Sequence, residues 1–121
     1  MVTFEINDKE YELKLTYKSI KYLNGKFKGG SYELIGKAIQ GDIEAFPLIV
    51  HAGLFHTGEN IAYKTVEARV EELIDNGEIS LEDIAKIADE VVTQSFFYKA
   101  TVDKLMKNNP EMKKALEQLR G

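Results

Sequence analysis

Val2-Thr3-Phe4-Glu5-Ile6-Asn7-Asp8-Lys9-Glu10-Tyr11-Glu12-Leu13-Lys14-Leu15 is the stretch on which the fold class turns. Val2, Phe4 and Ile6 alternate with Thr3 and Glu5, and after Asn7-Asp8-Lys9 the alternation resumes with Tyr11, Leu13 and Leu15 against Glu10, Glu12 and Lys14. Successive strand side chains point to opposite faces, so a period of two on either side of a turn predicts a β-hairpin with one apolar face. Asn and Asp tolerate the left-handed backbone that a tight turn requires. A two-stranded ribbon is marginal by itself, so its apolar face must lie on elements later in the chain.

Those later elements are helical in pattern. Thr16 is placed to cap a helix carrying Tyr17, Ile20 and Leu23, running towards Phe27 and ending before Gly29-Gly30. Ser31 is placed to cap the next, with Leu34, Ile35, Ala38 and Ile39 as its inner stripe and Gly41 after its end. Asp42 caps a turn, and Pro47 marks the start of an apolar helix through Ile49, Val50 and Leu54 that stops at Gly58 and is expected to be central. A fourth helix begins around Thr65, carries Val66, Val70, Leu73 and Ile74, and stops at Asn76-Gly77.

Ser80 and Asp83 form a capping-box pattern that opens the longest helical signal. Leu81, Ile84, Ala88, Val91, Ser95, Tyr98, Val102 and Leu105 recur at alternating intervals of three and four, the spacing of a coiled-coil seam. Ile87, Val92, Phe96 and Met106 add a second stripe. The pattern predicts one long helix ending at Asn108-Asn109-Pro110, either central to its own domain or shared with another chain. Met112, Ala115, Leu116 and Leu119 then mark a short amphipathic helix. The expected fold is α+β, mainly α: an N-terminal hairpin packed on a bundle of five to six helices. The domain is expected over residues 1–108, with residues 109–121 a C-terminal amphipathic helix whose docking the pattern leaves open.

Composition narrows the function. A chain of 121 residues, 44% apolar and 30% charged, has room for a single core. The absence of Cys removes disulfides, thiolate metal sites and cysteine nucleophiles. The longest uncharged run, Ala45 to Gly58, has 14 residues, against the roughly 20 that cross a bilayer. Met1-Val2-Thr3-Phe4-Glu5 lacks the basic and apolar regions of a secretory signal, so a cytoplasmic location is expected. Net charge is −4, with segments 31–61 and 62–90 acidic and the two ends basic. That polarity is too weak for a nucleic-acid footprint, and neither nucleic acid nor membrane is expected as a partner. The acidic middle and basic C-terminal segment can pair within the fold or steer copies together head to tail.

Motifs with a chemical look have plainer explanations. His51 and His56 point about 140° apart on a helix and cannot share a metal. Glu72 to Asp83 imitates a calcium loop, but Ile74 occupies a ligand position, and a helix stop followed by a cap accounts for the same residues. Gly25, Gly29 and Gly30 with Lys26 and Lys28 lack the GxxxxGK[ST] phosphate cradle. The pairs Glu71-Glu72 and Asp89-Glu90 suit a solvated helix face. No catalytic, cofactor-binding or metal-binding residues are expected. Ser95-Phe96-Phe97-Tyr98 differs, because three consecutive aromatics on a helix spread over about 200° and one packing surface cannot take them all; two are expected to face the core and one a groove or partner. Surface logic makes Phe96, Phe97, Tyr98, Val102, Leu105, Leu116 and Leu119 the candidate protein-binding residues.

Taken in order, Phe4 to Leu15, Thr16 to Leu23, Glu33-Leu34-Ile35-Gly36-Lys37-Ala38-Ile39-Gln40-Gly41-Asp42, His56-Thr57-Gly58, Glu71-Glu72-Leu73-Ile74-Asp75-Asn76-Gly77-Glu78-Ile79 and Ser95-Phe96-Phe97-Tyr98 resemble a tail assembly chaperone of long-tailed phages and prophages of Gram-positive bacteria. The resemblance covers roughly residues 3–98. It implies a mostly helical, non-enzymatic protein without cofactor. Such a protein coats the tape measure protein and helps recruit tail tube subunits during tail morphogenesis, and is absent from the finished virion. Many members also exist as a longer frameshifted form. The resemblance is compatible with a homo-oligomer that covers a long helix by many weak contacts in series. Two other readings use the same residues: a cytoplasmic regulatory module that pairs its C-terminal helix with a partner, and a small ligand-binding enzyme domain with a pocket under the hairpin.

Overall fold

A computed structural model describes residues 2–121. Strands β1 (Val2–Ile6) and β2 (Lys9–Leu13) pair antiparallel, with Phe4 opposite Tyr11 and Ile6 opposite Lys9. Asn7 and Asp8 hold φ of 52° and 64°, the left-handed pair of a two-residue hairpin turn. Phe4, Ile6 and Leu13 are buried beneath the ribbon, and the Phe4 ring meets Phe46 edge-on at 6.2 Å. The Lys14 amide donates to the Gly53 carbonyl at 3.0 Å, tying the hairpin's exit to the end of a helix. The approach is close: a Cβ on Gly53 would stand 3.2 Å from Leu13 Cβ, so any larger residue there makes the hairpin give by a few tenths of an ångström.

The rest of the chain forms seven α-helices: α1 (Tyr17–Lys26), α2 (Gly30–Gln40), α3 (Ala45–Gly53), α4 (Tyr63–Asp75), α5 (Leu81–Ala88), α6 (Lys99–Lys107) and α7 (Pro110–Arg120). The capping boxes at Thr16/Ser19 and Ser80/Asp83 are both formed. Ser31 does not cap α2; Glu33 Oε1 accepts from the Gly29 amide instead, and Ser31 turns towards Tyr98. Helix α3 is the centre. Its Ala45, Phe46, Pro47, Ile49, Val50 and Ala52 are buried, and it packs on β2, α1, α2, α4 and α5.

The helix count exceeds the expected five to six because the long helix over 81–107 is broken. After α5 the chain makes a π-helical turn at Asp89–Thr93, a non-helical turn over 94–98, and only then α6. The cause is a cluster of short polar side chains that compete for backbone carbonyls. Thr93 Oγ1 donates to the Asp89 carbonyl at 2.8 Å and also to the Asp89 carboxylate, while Ser95 Oγ donates to the Val92 carbonyl at 2.6 Å. The seam therefore dissolves. Leu81, its first member, is 62% exposed, whereas Ile84, Ala88, Val91, Tyr98 and Val102 enter the common core.

Helix α7 is seated on α5 and α6. Asn109 Oδ1 accepts from the Met112 amide at 3.2 Å to cap it, with Pro110 in its first turn. Leu116 is buried, Met112 and Leu119 are half-buried, and Arg120 reaches back to Asp89, which is buried and paired rather than on the solvated helix face expected for Asp89-Glu90.

Candidate protein-binding surface

The turn after the π-helical segment makes the most exposed apolar feature of the described surface. Tyr98 is its root: the side chain is buried, its hydroxyl lies 2.7 Å from Ser31 Oγ on α2, and its amide donates to Ser95 Oγ at 3.4 Å. With Tyr98 drawn inward, Phe96 and Phe97 are left outside. Phe96 is fully exposed and Phe97 is 63% exposed, its ring edge-on to Tyr98 at 5.1 Å. Lys99, Lys104 and Lys107 are exposed on the adjoining helix α6. Two solvated rings on a turn rooted in the core form a preorganised apolar knob, followed by a helix whose three exposed lysines outnumber its one acid, Asp103.

Of the remaining candidates from the sequence, Tyr98, Val102 and Leu116 are core residues, each 2% exposed or less, and offer no free surface. An outward stripe through them requires one straight helix, and the break at Asp89–Thr93 reorients everything after it. Leu105 and Leu119 are half-buried against the core.

A second surface has no counterpart among the sequence candidates. Between α3 and α4 lies an open groove of about 350 Å³ with Ile43, Pro47, Tyr63, Val70 and Ile74 on its walls and Glu44, Glu67, Glu71 and Asp75 around it. Ile43 and Ile74 are exposed. The signal was present in Ile74, the apolar residue of α4 left over once Val66 and Val70 had filled the inner stripe.

The histidines are structural. His51 Nδ1 lies 3.1 Å from the Tyr22 hydroxyl and Nε2 lies 3.0 Å from the Ile61 carbonyl. The rings of Tyr22, Phe55 and Tyr63 surround it at 5.4, 5.1 and 5.7 Å. Burial lowers its pKa below the ordinary 6.5, against the hydrogen bond to Ile61, which raises it. His56 Nε2 lies 2.7 Å from the Glu12 carbonyl, joining the short 3-10 turn to the hairpin.

The family model for phage tail assembly chaperone protein, TAC, matches residues 3–107. The chain belongs to the phage tail assembly chaperone family. The match reaches from β1 to the last residue of α6, past Tyr98, and takes in both the aromatic knob and the acidic groove. Helix α7 lies outside it. No curated protein and no solved structure matches. Membership carries a role in phage tail assembly, with protein partners in the tail. No helix among the described residues is long and apolar enough to cross a membrane.

Proposed function

We propose that this family member is a non-enzymatic chaperone that coats the tape measure protein in the host cytoplasm and helps bring tail tube subunits to it. The observation that carries the reading is the pair Phe96 and Phe97, held in water on a turn whose neighbour Tyr98 is locked in the core. Isolated exposed apolar residues are ordinary, but two adjacent aromatic rings on an anchored turn mark a contact site for another polypeptide. A tape measure protein is a long helix with an apolar stripe; covering it needs many small copies, each contributing modest affinity.

The same reading takes the protein as a homo-oligomer. The acidic groove between α3 and α4 and the basic helix α6 are different surfaces with opposite charge, so contact between them is heterologous and leaves each end of an array open for the next copy.

Co-expression with the tape measure protein tests the function. Wild type is expected to keep that client soluble, and the Phe96→Ala/Phe97→Ala variant is expected to lose it while remaining folded. Equal recovery of the client with both proteins would overturn the assignment to this surface, and no recovery with wild type would overturn the coating role.

A further inference from the structure

Asp89 is a buried carboxylate at the π-helical turn, and its ion-pair partner is Arg120, the penultimate residue of the chain. Arg120 Nε and Nη2 each approach one Asp89 oxygen at 2.9 Å. Thr93 and Gln94 complete the carboxylate's partners. A charge taken out of water demands a counter-charge and hydrogen bonds, and a site that carries one discriminates sharply against any occupant unable to supply them.

Helix α7 is lightly held for an element that supplies so critical a group. Of its 11 residues, only Leu116 is fully buried; Met112 and Leu119 are half-buried, Arg120 pairs, and the others face water. An isolated helix of this length is marginal in water, so α7 is helical because the face beneath it selects that shape. It joins the domain through exposed Asn108 and Asn109 and lies beyond the region matched by the family. Nor does it fill its seat. An open cleft of about 680 Å³ continues along α5 past Arg120, with Glu82 and Glu90 on its wall and Lys86, already 3.2 Å from Glu82, beside them.

We propose that the α5–α6 face under α7 is a helix-receiving groove. Its exchangeable occupant is an amphipathic helix of the client with apolar residues at i, i+4 and i+7 and a cation at i+8, the pattern that Met112, Leu116, Leu119 and Arg120 present in cis. The cation replaces Arg120 on Asp89, and a helix longer than α7 runs on into the cleft, where further Lys or Arg meets Glu82 and Glu90. The inference rests on the reading of the client as a long apolar-striped helix. It adds a second contact, with a stated sequence requirement, to the aromatic knob.

The test uses a fluorescein-labelled peptide of residues 109–121 titrated into the full chain and monitored by anisotropy. The Leu116→Ala/Arg120→Ala protein, whose own α7 is weakened, is expected to bind the peptide at least tenfold more tightly than wild type does. A peptide carrying Arg120→Ala is expected to bind that protein at least tenfold more weakly. Equal affinity of the two proteins, or of the two peptides, overturns the proposal. Should the variant fold poorly, hydrogen exchange on wild type decides: amides of Lys113 to Arg120 are expected to exchange at least tenfold faster than those of α3, and equal rates overturn it. Wild-type dimers dispersed by the peptide would assign the groove to a second copy and overturn the choice of partner. None of these readouts involves the tape measure protein, so they fail or succeed independently of the co-expression result.

Discussion

Tyr98 and Ser31, 67 residues apart in the chain, meet hydroxyl to hydroxyl at 2.7 Å. The contact fastens the turn over 94–98 to α2 and gives the one inward ring of three consecutive aromatics a partner for its hydroxyl. Tyr98→Phe keeps the buried ring and is expected to destabilise by about 1 kcal/mol. Tyr98→Ala, which empties the site, is expected to cost about 3–5 kcal/mol. Phe97→Ala should stay within about 0.5 kcal/mol of wild type, because its ring is mostly in water. Urea denaturation checks all three, and a large loss for Phe97→Ala would place that ring in the core.

His51 makes stability pH-dependent on the acid side of neutrality. Its folded pKa lies below 6.5, chiefly through burial, so the unfolded chain binds the proton more readily. The neutral ring's contribution is complete above about 6.5 and is lost as pH falls from there towards the folded value. The urea midpoint of wild type should therefore drop between pH 8 and pH 5 by more than that of His51→Phe. Parallel curves for the two proteins would remove His51 as the source.

Asp89 acts at lower pH. Burial pushes its carboxyl up, but hydrogen bonds from Arg120, Thr93 and Gln94 together with the Arg120 charge outweigh burial and hold it below the ordinary 3.8. Its contribution is present above 3.8 and disappears as pH falls through the folded value. Arg120→Ala removes the strongest opposition to burial, so acid unfolding should begin at a higher pH than in wild type, with a loss of about 1–3 kcal/mol at pH 7. An acid transition monitored by circular dichroism checks this, and an unchanged transition would mean that Thr93 and Gln94 suffice.

Association between copies should be concentration-dependent and should weaken with salt, since the acidic groove and the lysines of α6 are both exposed. Glu67→Lys/Glu71→Lys is expected to reduce association, and mixing it with Lys104→Glu/Lys107→Glu should restore it. Light scattering across a concentration series measures both. A wild-type protein that stays monomeric throughout would end the head-to-tail arrangement.

The hairpin, its turn, the Thr16 cap, the Ser80/Asp83 capping box and the central position of α3 were legible from periodicity and local chemistry alone; that Ser19 completes a second box with Thr16 was not. Nor was the break after α5. Periodicity reported a continuous stripe from Leu81 to Leu105, while the residues that interrupt it, Thr93 and Ser95, act by bonding to carbonyls three or four positions back, and Asp89 is held by an arginine 31 residues away. The knob was half legible. Three aromatics in a row signalled that one side would be left out, but the expected two inward and one outward are reversed: only Tyr98 is buried, and its hydroxyl partner Ser31 lies 67 residues away. The α3–α4 groove arises only when two separate helices are laid side by side.

The stitch from Lys14 to Gly53 has a consequence for synthesis. The ribbon leaves the ribosome before α3, yet its apolar side is completed by Phe46 and its exit by the Gly53 carbonyl, which come some forty residues later. At about 5–20 residues per second, the nascent ribbon waits several seconds with Phe4, Ile6 and Leu13 uncovered. Asn7-Asp8 biases the chain toward the turn during that delay, and α3, once translated, supplies the apolar surface that a two-stranded ribbon needs to persist.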